Sequence, residues 1–316
     1  MSVKPQFPDE QSADGHFVRQ EDAFRDRVTA DGSSGFPAAA GRYHLYVSLA
    51  CPWAHRTILV RTLMGLERAI GMTVVDPIRD ERGWAFRDVA GASLDPVNGF
   101  QYLREAYLKR DPHYAGRVTV PVLWDTQTQA IVSNSDDDIM RDLETQFDAF
   151  AEHPAELVPL RLAHDVDALN EHVYRTLNNG VYQAGFATTQ RAYEFAARRV
   201  FATLDELDAR LAERRYVFGA APVETDWRIF VTLVRFDAAY VGHFKCNLRR
   251  IADYPQLSGY LRDLYQVEGV AETVNFDHIK RHYYETHDDI NPTRIVPIGP
   301  ELDLAAPHDR AKIKSR

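Results

Sequence analysis

The chain has 316 residues, a net charge of −9 and two cysteines, and its hydrophobic (45%) and charged (26%) fractions are those of a globular protein with an ordinary core. Its acidity argues against electrostatic binding to nucleic acid or to an anionic membrane, and its sequence contains neither an apolar run long enough to span a membrane nor an apolar signal core. Two cysteines do not make a disulfide framework, so we expect a reducing, cytoplasmic compartment.

The first predicted elements form a β-α-β unit. Residues 1–40 are polar and rich in Gly, Ser, Asp and Pro, and we expect an irregular N-terminal extension there. A β-rich run extends from Arg42 to Ala50, and a helix follows Cys51, as indicated by apolar residues spaced by four, three and four (Leu59, Leu63, Leu66 and Ile70). The β-branched run from Gly71 to Ile78 adds a strand, which implies a parallel pair with a right-handed crossover.

The next elements complete a thioredoxin-like order. One helix is predicted between Phe100 and Lys109 within a polar, irregular stretch. A hairpin follows, with strands at Val118 to Trp124 and Ala130 to Val132, and then a helix from Ser135 to about Phe147. The order β-α-β-α-β-β-α predicts that residues 41–150 form a thioredoxin-like, thiol-binding domain.

The remaining residues, 151–316, are predicted to form an all-helical domain with a C-terminal loop. The length of the chain favours a second domain of this kind. Apolar residues recur at helical spacing in several stretches, one of which includes Ile229, Leu233, Phe236 and Tyr240. Thr225 or Asp226 is the expected N-cap of that helix.

Cys51 lies where a predicted strand ends and a helix begins. A cysteine in the first turn of a helix is exposed to the positive end of the helix dipole, which favours the reactive thiolate. Pro52 suits the first helical turn. Ala54 replaces the second cysteine of a Cys-x-x-Cys pair, so an external thiol must resolve any mixed disulfide. A buried, inert cysteine is the alternative interpretation. A cis proline at Val120–Pro121 is one way to tolerate proline at a strand entrance.

Six ordered blocks of sequence closely resemble the Xi-class glutathione transferases, the glutathionyl-hydroquinone reductases. The blocks are RYHLYVSLACPWAHRT, GWAF, GRVTVPVLWD, NNGVYQAGFATTQ, DWRIFVTLVRFDAAYVGHFKCNLRRIADYPQL and IKRHYYETHDDINPTRIVPIGP. The resemblance covers about residues 17–300. It implies a thioredoxin-like domain joined to an all-helical domain, an active site in the cleft between them, and a homodimer.

The resemblance also implies a chemistry and residues to perform it. A thiolate attacks the sulfur of a glutathionyl-hydroquinone thioether, the hydroquinone leaves, and a second glutathione releases the enzyme from its mixed disulfide. Cys51 matches the nucleophile. Tyr182 and Tyr283 match tyrosines that line the hydroquinone pocket, where a phenol can supply the proton; Tyr284 is adjacent and competes for the second assignment.

The expected glutathione site contains one departure from the family. Trp84 matches the tryptophan over glutathione, Arg117 a basic residue for a carboxylate, and Val120 the residue whose backbone pairs with the cysteinyl part. The family's Glu-Ser pair for the γ-glutamyl end is replaced by Ser135 and Asp136, followed by two further aspartates. Three adjacent acids are expected to repel a glutathione carboxylate, so a different low-molecular-weight thiol is the alternative co-substrate.

Other interpretations stay open. His278 and His282 are spaced for a metal on one helical face, but the resemblance explains this stretch without a metal, and none is expected. An omega-like monothiol thioltransferase or dehydroascorbate reductase would share Cys51. A non-catalytic protein that binds aromatic quinols is the alternative outside enzymes. The expected partner remains a small aromatic thioether or quinone substrate.

Overall fold

A four-stranded mixed sheet forms the centre of the first half of the chain. The computed structural model describes residues 8–313. The strands are β1 (Tyr43–Val47), β2 (Ile70–Val74), β3 (Val122–Asp125) and β4 (Ala130–Ser133), in the spatial order β2-β1-β3-β4. Strands β1 and β2 are parallel, whereas β3 is antiparallel to both β1 and β4. This is the predicted thioredoxin-like arrangement, which is confirmed.

Three helices accompany the sheet. The observed bounds of the first helix and of the hairpin correct two details of the prediction. They are α1 (Pro52–Leu63), α2 (Arg104–Arg110) and α3 (Asp136–Gln146). Leu66 and Ile70 were wrongly assigned to the first helix: the helix ends at Leu63, and Ile70 begins β2 and pairs with Tyr43. A single apolar residue at helical spacing cannot distinguish a helix from the buried strand that follows it. The first strand of the hairpin begins at Val122, four residues later than predicted.

The later part of the chain is helical, as predicted. Its helices are α4 (Ala163–Val173), α5 (Gly180–Gly185), α6 (Gln190–Leu211), α7 (Glu224–Arg235), α8 (Leu257–Tyr265) and α9 (Phe276–Thr286), with π-helical turns at Tyr174–Asn178 and Phe236–Tyr240. The predicted N-cap of α7 is wrong. Val223 holds that position, and Asp226 instead accepts a hydrogen bond of 2.8 Å from the Val223 backbone N–H. Within residues 8–313, no helix is both long and apolar enough to span a membrane.

Two compact units divide the chain, and neither is continuous in sequence. The thioredoxin-like unit comprises Gln20–Ala155 and Glu272–His282. The helical unit comprises Glu156–Ala271 and the described parts of Met1–Arg19 and Tyr283–Arg316. The boundary therefore falls inside α9, between His282 and Tyr283. The predicted domains 1–40, 41–150 and 151–316 are each continuous in sequence, and these boundaries stay a prediction.

The segment predicted as an irregular extension is anchored by hydrogen bonds. In the thioredoxin-like unit, the backbone N–H of Phe24 donates to Asn134 Oδ1 (2.8 Å) and that of Val28 donates to Asp142 Oδ2 (2.8 Å). Val28 is fully buried. Phe24 and Val28, which lie outside any helix or strand, are therefore held in place by polar contacts with Asn134 and with Asp142 of α3.

Candidate active site

Cys51 is the N-cap residue of α1. Its backbone is extended (φ −78°, ψ 122°), its carbonyl oxygen accepts the first helical hydrogen bond from His55, and Pro52 occupies the first turn. The residue is half-buried. Unpaired N–H groups and the helix dipole make this end of a helix electropositive, so the position favours a thiolate. The local sequence signals therefore placed Cys51 correctly at the strand–helix junction.

The entrance of β3 lies against the Cys51 sulfur. Cys51 Sγ is 3.6 Å from the carbonyl oxygen of Val120, and the Val120–Pro121 peptide bond is cis, as expected. The neighbouring Thr119 carbonyl accepts a hydrogen bond from the Tyr107 hydroxyl at 2.9 Å. This contact fixes the backbone beside Val120, which the sequence assigned to thiol binding.

The N-terminus of α3 is joined to the same strand entrance. Ser135 is its N-cap, and the Ser135 hydroxyl accepts a hydrogen bond of 3.3 Å from the Asp138 backbone N–H. The side-chain amide of Asn134 donates to Thr119 Oγ1 at 3.0 Å. Cys51, Val120 and Ser135 are thus connected through short contacts between α1, the start of β3 and α3.

Each of the three adjacent aspartates forms a salt bridge with an arginine. Arg56, whose side chain is fully buried, lies 2.8 Å from Asp136 and 3.3 Å from Asp137. Asp138 pairs with Arg25 at 2.6 Å. Arg56 brings one positive charge to two carboxylates, so it weakens their repulsion of a glutathione carboxylate without cancelling it, and that repulsion stays a prediction. Sequence reasoning assigned no such role to Arg56, since the contact joins residues 80 positions apart.

Trp84 and Arg117 occupy defined positions in the same unit. The Trp84 side chain is buried and stacks on His282, with ring centroids 5.0 Å apart and planes 19° from parallel. The backbone N–H of Arg117 donates to Gln20 Oε1 at 2.8 Å, and its carbonyl accepts from the Tyr114 hydroxyl at 2.7 Å. The Trp84 ring and the Arg117 backbone are therefore held in place, and the roles of both side chains in thiol binding stay predictions.

A cluster of three phenols lies in the helical unit. The hydroxyl oxygens of Tyr182, on α5, and Tyr283, on α9, are 2.5 Å apart, and the Tyr240 hydroxyl is 3.0 Å from that of Tyr283. Burial raises the pKa of Tyr240 and of Tyr283 well above the ordinary value. These two phenols are therefore neutral hydrogen-bonding groups at physiological pH. We call Tyr182, Tyr240 and Tyr283 the phenol cluster.

The phenol cluster distinguishes Tyr283 from its neighbour. The Tyr284 side chain is only partly buried and packs against the His243 ring, with centroids 4.9 Å apart. Tyr283 is therefore the residue associated with Tyr182. Sequence reasoning missed Tyr240, which it placed in an apolar helical stripe; the polar tip of a tyrosine in such a stripe was the available signal.

The histidines at helical spacing are bound to backbone carbonyls. His278 Nε2–H donates to the Ala90 carbonyl and His282 Nδ1–H to the Pro77 carbonyl, each at 2.7 Å. No group of three or more His, Cys, Asp or Glu side chains that could hold a metal ion occurs within residues 8–313. These contacts give both histidines a structural explanation.

The second cysteine contrasts with the first. Cys246 is fully buried, and burial raises the pKa of its thiol to about 12. A thiol in such surroundings stays protonated and unreactive. Cys51 is therefore the only one of the two cysteines in a position suited to nucleophilic chemistry.

Known proteins resemble the chain in sequence and in structure. Residues 50–146 match the family model "Glutathione S-transferase, N-terminal domain", and residues 190–263 match "Glutathione S-transferase, C-terminal domain". The glutathionyl-hydroquinone reductase YqjG of Escherichia coli is 50% identical over 96% of this chain and 94% of its own length. The glutathionyl-hydroquinone reductase PcpF of Sphingobium chlorophenolicum is 47% identical, covering 94% and 93%.

Solved structures agree with these relationships. The glutathione-bound structure of YqjG has a TM-score of 0.89 and 51% identity, covering 91% of this chain and 96% of its own. The Xi-class glutathione transferase of Natrialba magadii has a TM-score of 0.90 and 50% identity, covering 92% and 89%. Identity of this order over nearly complete chains shows the family. The chain is therefore an enzyme of the glutathione transferase family and belongs to its Xi class, the glutathionyl-hydroquinone reductases.

Proposed function

We propose that this chain reduces S-glutathionyl hydroquinones to hydroquinones, with glutathione as the second thiol. The observation that carries the proposal is the position of Cys51 at the N-cap of α1, with its sulfur 3.6 Å from the Val120 carbonyl. That position suits a lone nucleophilic thiolate, and no second cysteine is present at residue 54 to resolve a mixed disulfide. The relatives named above support the choice of substrate.

In the first step the Cys51 thiolate attacks the thioether sulfur of the conjugate. A sulfur–sulfur bond forms between Cys51 and the glutathionyl group, and the bond between sulfur and the aromatic carbon breaks. The electron pair of the broken bond goes to the aromatic carbon, which takes up a proton and becomes C–H. The aromatic product is thereby reduced, and the two sulfurs are oxidised to a disulfide.

In the second step a glutathione thiolate attacks the glutathionyl sulfur of the mixed disulfide. Glutathione disulfide leaves, and the Cys51 thiolate is restored. Two thiols thus supply the two electrons that the aromatic ring receives. The N-terminus of α1 stabilises the Cys51 thiolate as the leaving group in this step, as it stabilises the nucleophile in the first.

The phenol cluster supplies the proton in this proposal. A phenol that delivers a proton to the aromatic carbon acts as a general acid. Tyr182 and Tyr283 are assigned this role together, because each hydroxyl is the hydrogen-bond partner of the other. Tyr240 is not assigned proton transfer. Its hydroxyl only holds the Tyr283 hydroxyl in place through a hydrogen bond.

The remaining assignments concern the bound thiol. Trp84 covers the glutathione, Arg117 pairs with a carboxylate, and the Val120 backbone pairs with the cysteinyl part. Ser135 and Asp136 receive the γ-glutamyl end, where a helix N-terminus suits its carboxylate and an aspartate suits its ammonium. A homodimeric, cytoplasmic enzyme completes the proposal.

A steady-state product assay tests the proposed function. Glutathionyl-hydroquinone and glutathione are mixed with the wild type, Cys51→Ser and, as the matched control, Cys246→Ala. We expect hydroquinone and glutathione disulfide in equal amounts from the wild type and the control, and none from Cys51→Ser. Activity on simple mixed disulfides or dehydroascorbate, with none on the conjugate, would contradict the proposal and favour an omega-like enzyme. Saturation only by a thiol without a γ-glutamyl end would contradict the choice of glutathione.

A further inference from the structure

The N-terminal segment of the helical unit packs beside α5, the helix that carries Tyr182. The backbone N–H of Thr188 donates to the Gly15 carbonyl at 3.1 Å. Phe17 is buried, with its ring 5.3 Å from that of Phe186. The side chain of Gln11 donates to the Phe186 carbonyl at 3.2 Å. Gln11, Gly15 and Phe17 therefore anchor the described part of this segment to the residues that follow α5.

This segment places Arg19 over the phenol cluster. The Arg19 guanidinium carbon lies 4.7 Å from the centroid of the Tyr182 ring and 5.3 Å from that of Phe17. Its Nε–H donates to Asn179 Oδ1 at 2.9 Å, and Asn179 is the residue before α5. Arg19 is half-buried. The hydrogen bond and the two rings together define both the position and the plane of the guanidinium.

A fixed cation over a phenol ring changes the acidity of that phenol. Deprotonation places negative charge on the oxygen and raises the electron density of the ring, so a cation over the ring face attracts the phenolate more strongly than the phenol. A stronger phenol acid protonates a leaving group faster. Arg19 therefore acts on the group to which the proposed function assigns proton transfer.

We propose that Arg19 is a positioning residue for the reaction: its guanidinium, held by Asn179 over the Tyr182 ring, favours ionisation of the Tyr182–Tyr283 pair. This inference rests on the proposed function for its catalytic consequence, but the ionisation of the pair is a property of the protein alone. Other charged or titratable side chains also face the pair: Arg235 at the end of α7, Tyr240 in the π-helical turn, His243 after that turn and His287 directly after α9.

Arg19→Lys and Arg19→Met separate the effect of the charge at residue 19 from the effect of its geometry. Lysine keeps the positive charge but lacks the planar guanidinium that stacks on a ring while donating through Nε. Methionine keeps a long side chain and removes the charge. Arg198→Met is the matched control, because the Arg198 side chain is 77% exposed and its pair with Glu194, at 3.7 Å, lies on the surface of α6.

The first experiment is an ultraviolet titration of phenolate in the protein without substrate. The chain has 15 tyrosines, so each curve is the difference between a protein and the same protein carrying Tyr182→Phe, which reports the pair as a unit. Because burial raises the pKa of Tyr283 well above its ordinary value, the titration is read at its onset, where the protein is still folded, and we expect Arg19→Met to move that onset upward by about one pH unit. Arg19→Lys should move it less, and Arg198→Met should leave it unchanged. Indistinguishable curves for the wild type and Arg19→Met would overturn the inference.

The second experiment measures the kinetic consequence. We expect Arg19→Met to lower the rate of hydroquinone release about tenfold, since the phenol becomes a weaker acid, and to shift the basic limb of the kcat profile to higher pH by the same amount as the titration. Reduction of a preformed Cys51–glutathione disulfide should keep its rate, because no phenol takes part in that step. A lower rate without a shift of the pH profile would indicate a merely structural role. If the wild type releases no hydroquinone, the proposed function fails, and the titration still decides the effect of Arg19.

Discussion

The hydroxyl oxygens of Tyr182 and Tyr283 lie 2.5 Å apart, although the two tyrosines are 101 positions apart in the chain. Both side chains are at least nine-tenths buried. Each phenol carries one proton, so when one hydroxyl donates to the other, the second keeps a proton for another acceptor. Two phenols in this arrangement can deliver one proton outward while the hydrogen bond between them stabilises the resulting phenolate.

Removal of either hydroxyl tests this arrangement. We expect Tyr182→Phe and Tyr283→Phe each to slow hydroquinone release about 100-fold, the typical contribution of a general acid. Tyr284→Phe is the matched control and should lose less than about twofold, because that ring packs against His243 outside the phenol cluster. Single-turnover measurements of hydroquinone release would check this. A larger loss in Tyr284→Phe than in Tyr283→Phe would contradict the assignment.

Tyr240 should affect stability more than turnover. Tyr240→Phe removes the 3.0 Å hydrogen bond to Tyr283 from a fully buried position. The expected loss is about 1 kcal/mol in the free energy of unfolding, measured by urea denaturation. Turnover should fall by less than about tenfold. A loss of turnover equal to that of Tyr283→Phe would instead make Tyr240 part of the proton-donating group.

Arg56 links the stability of α3 to thiol binding. In Arg56→Met, Asp136 and Asp137 lose their buried cationic partner, and we expect the free energy of unfolding to fall by about 2 kcal/mol. This loss is smaller than that for a fully buried ion pair, because Asp137 is 49% exposed. The two carboxylates would then repel the glutathione carboxylate and raise the KM for glutathione. Adding Asp137→Asn to Arg56→Met, with Asp136 left in place for the glutathione ammonium, should restore part of both losses. If the changes in unfolding free energy and in KM caused by the arginine and aspartate substitutions simply add, the proposed coupling between these residues is wrong.

His44 should make the protein less stable in acid. The side chain is buried, its Nε2 lies 2.7 Å from Thr73 Oγ1, and burial lowers its pKa from 6.5 to about 4. Between pH 6.5 and pH 4 the unfolded chain therefore takes up a proton that the folded protein does not, and stability is lost as the pH falls. The wild type should lose about 3 kcal/mol relative to His44→Gln across this window. Urea denaturation of both proteins at several pH values would measure the difference; parallel curves would show that His44 does not titrate in this way.

Local signals explain what the sequence predicted correctly. The strand–Cys51–Pro52 junction, the Val120–Pro121 strand entrance and Ser135 at a helix N-terminus each depend on neighbouring residues, so their geometry follows from backbone chemistry alone. The position of Ile70 was wrong because an apolar residue fits either a helix face or a buried strand.

Contacts between distant parts of the chain could not be predicted in this way. The choice of Tyr283 over Tyr284 depends on how α9 is rotated, which the sequence of α9 does not specify. The salt bridges of Arg56 with Asp136 and Asp137 join two helices, and the position of Arg19 over Tyr182 joins two segments 163 positions apart. Tertiary packing alone brings these groups together, and their spacing in the sequence carries no information about it.

The most direct test of the account is an intact-mass measurement after a single turnover. Reduced wild type, Cys246→Ala and Cys51→Ser are each mixed with glutathionyl-hydroquinone in the absence of any other thiol. We expect the first two proteins to gain one glutathionyl group each and to release one equivalent of hydroquinone, and Cys51→Ser to do neither. Release of hydroquinone without a protein adduct, or an adduct that persists in Cys51→Ser, would contradict covalent catalysis by Cys51.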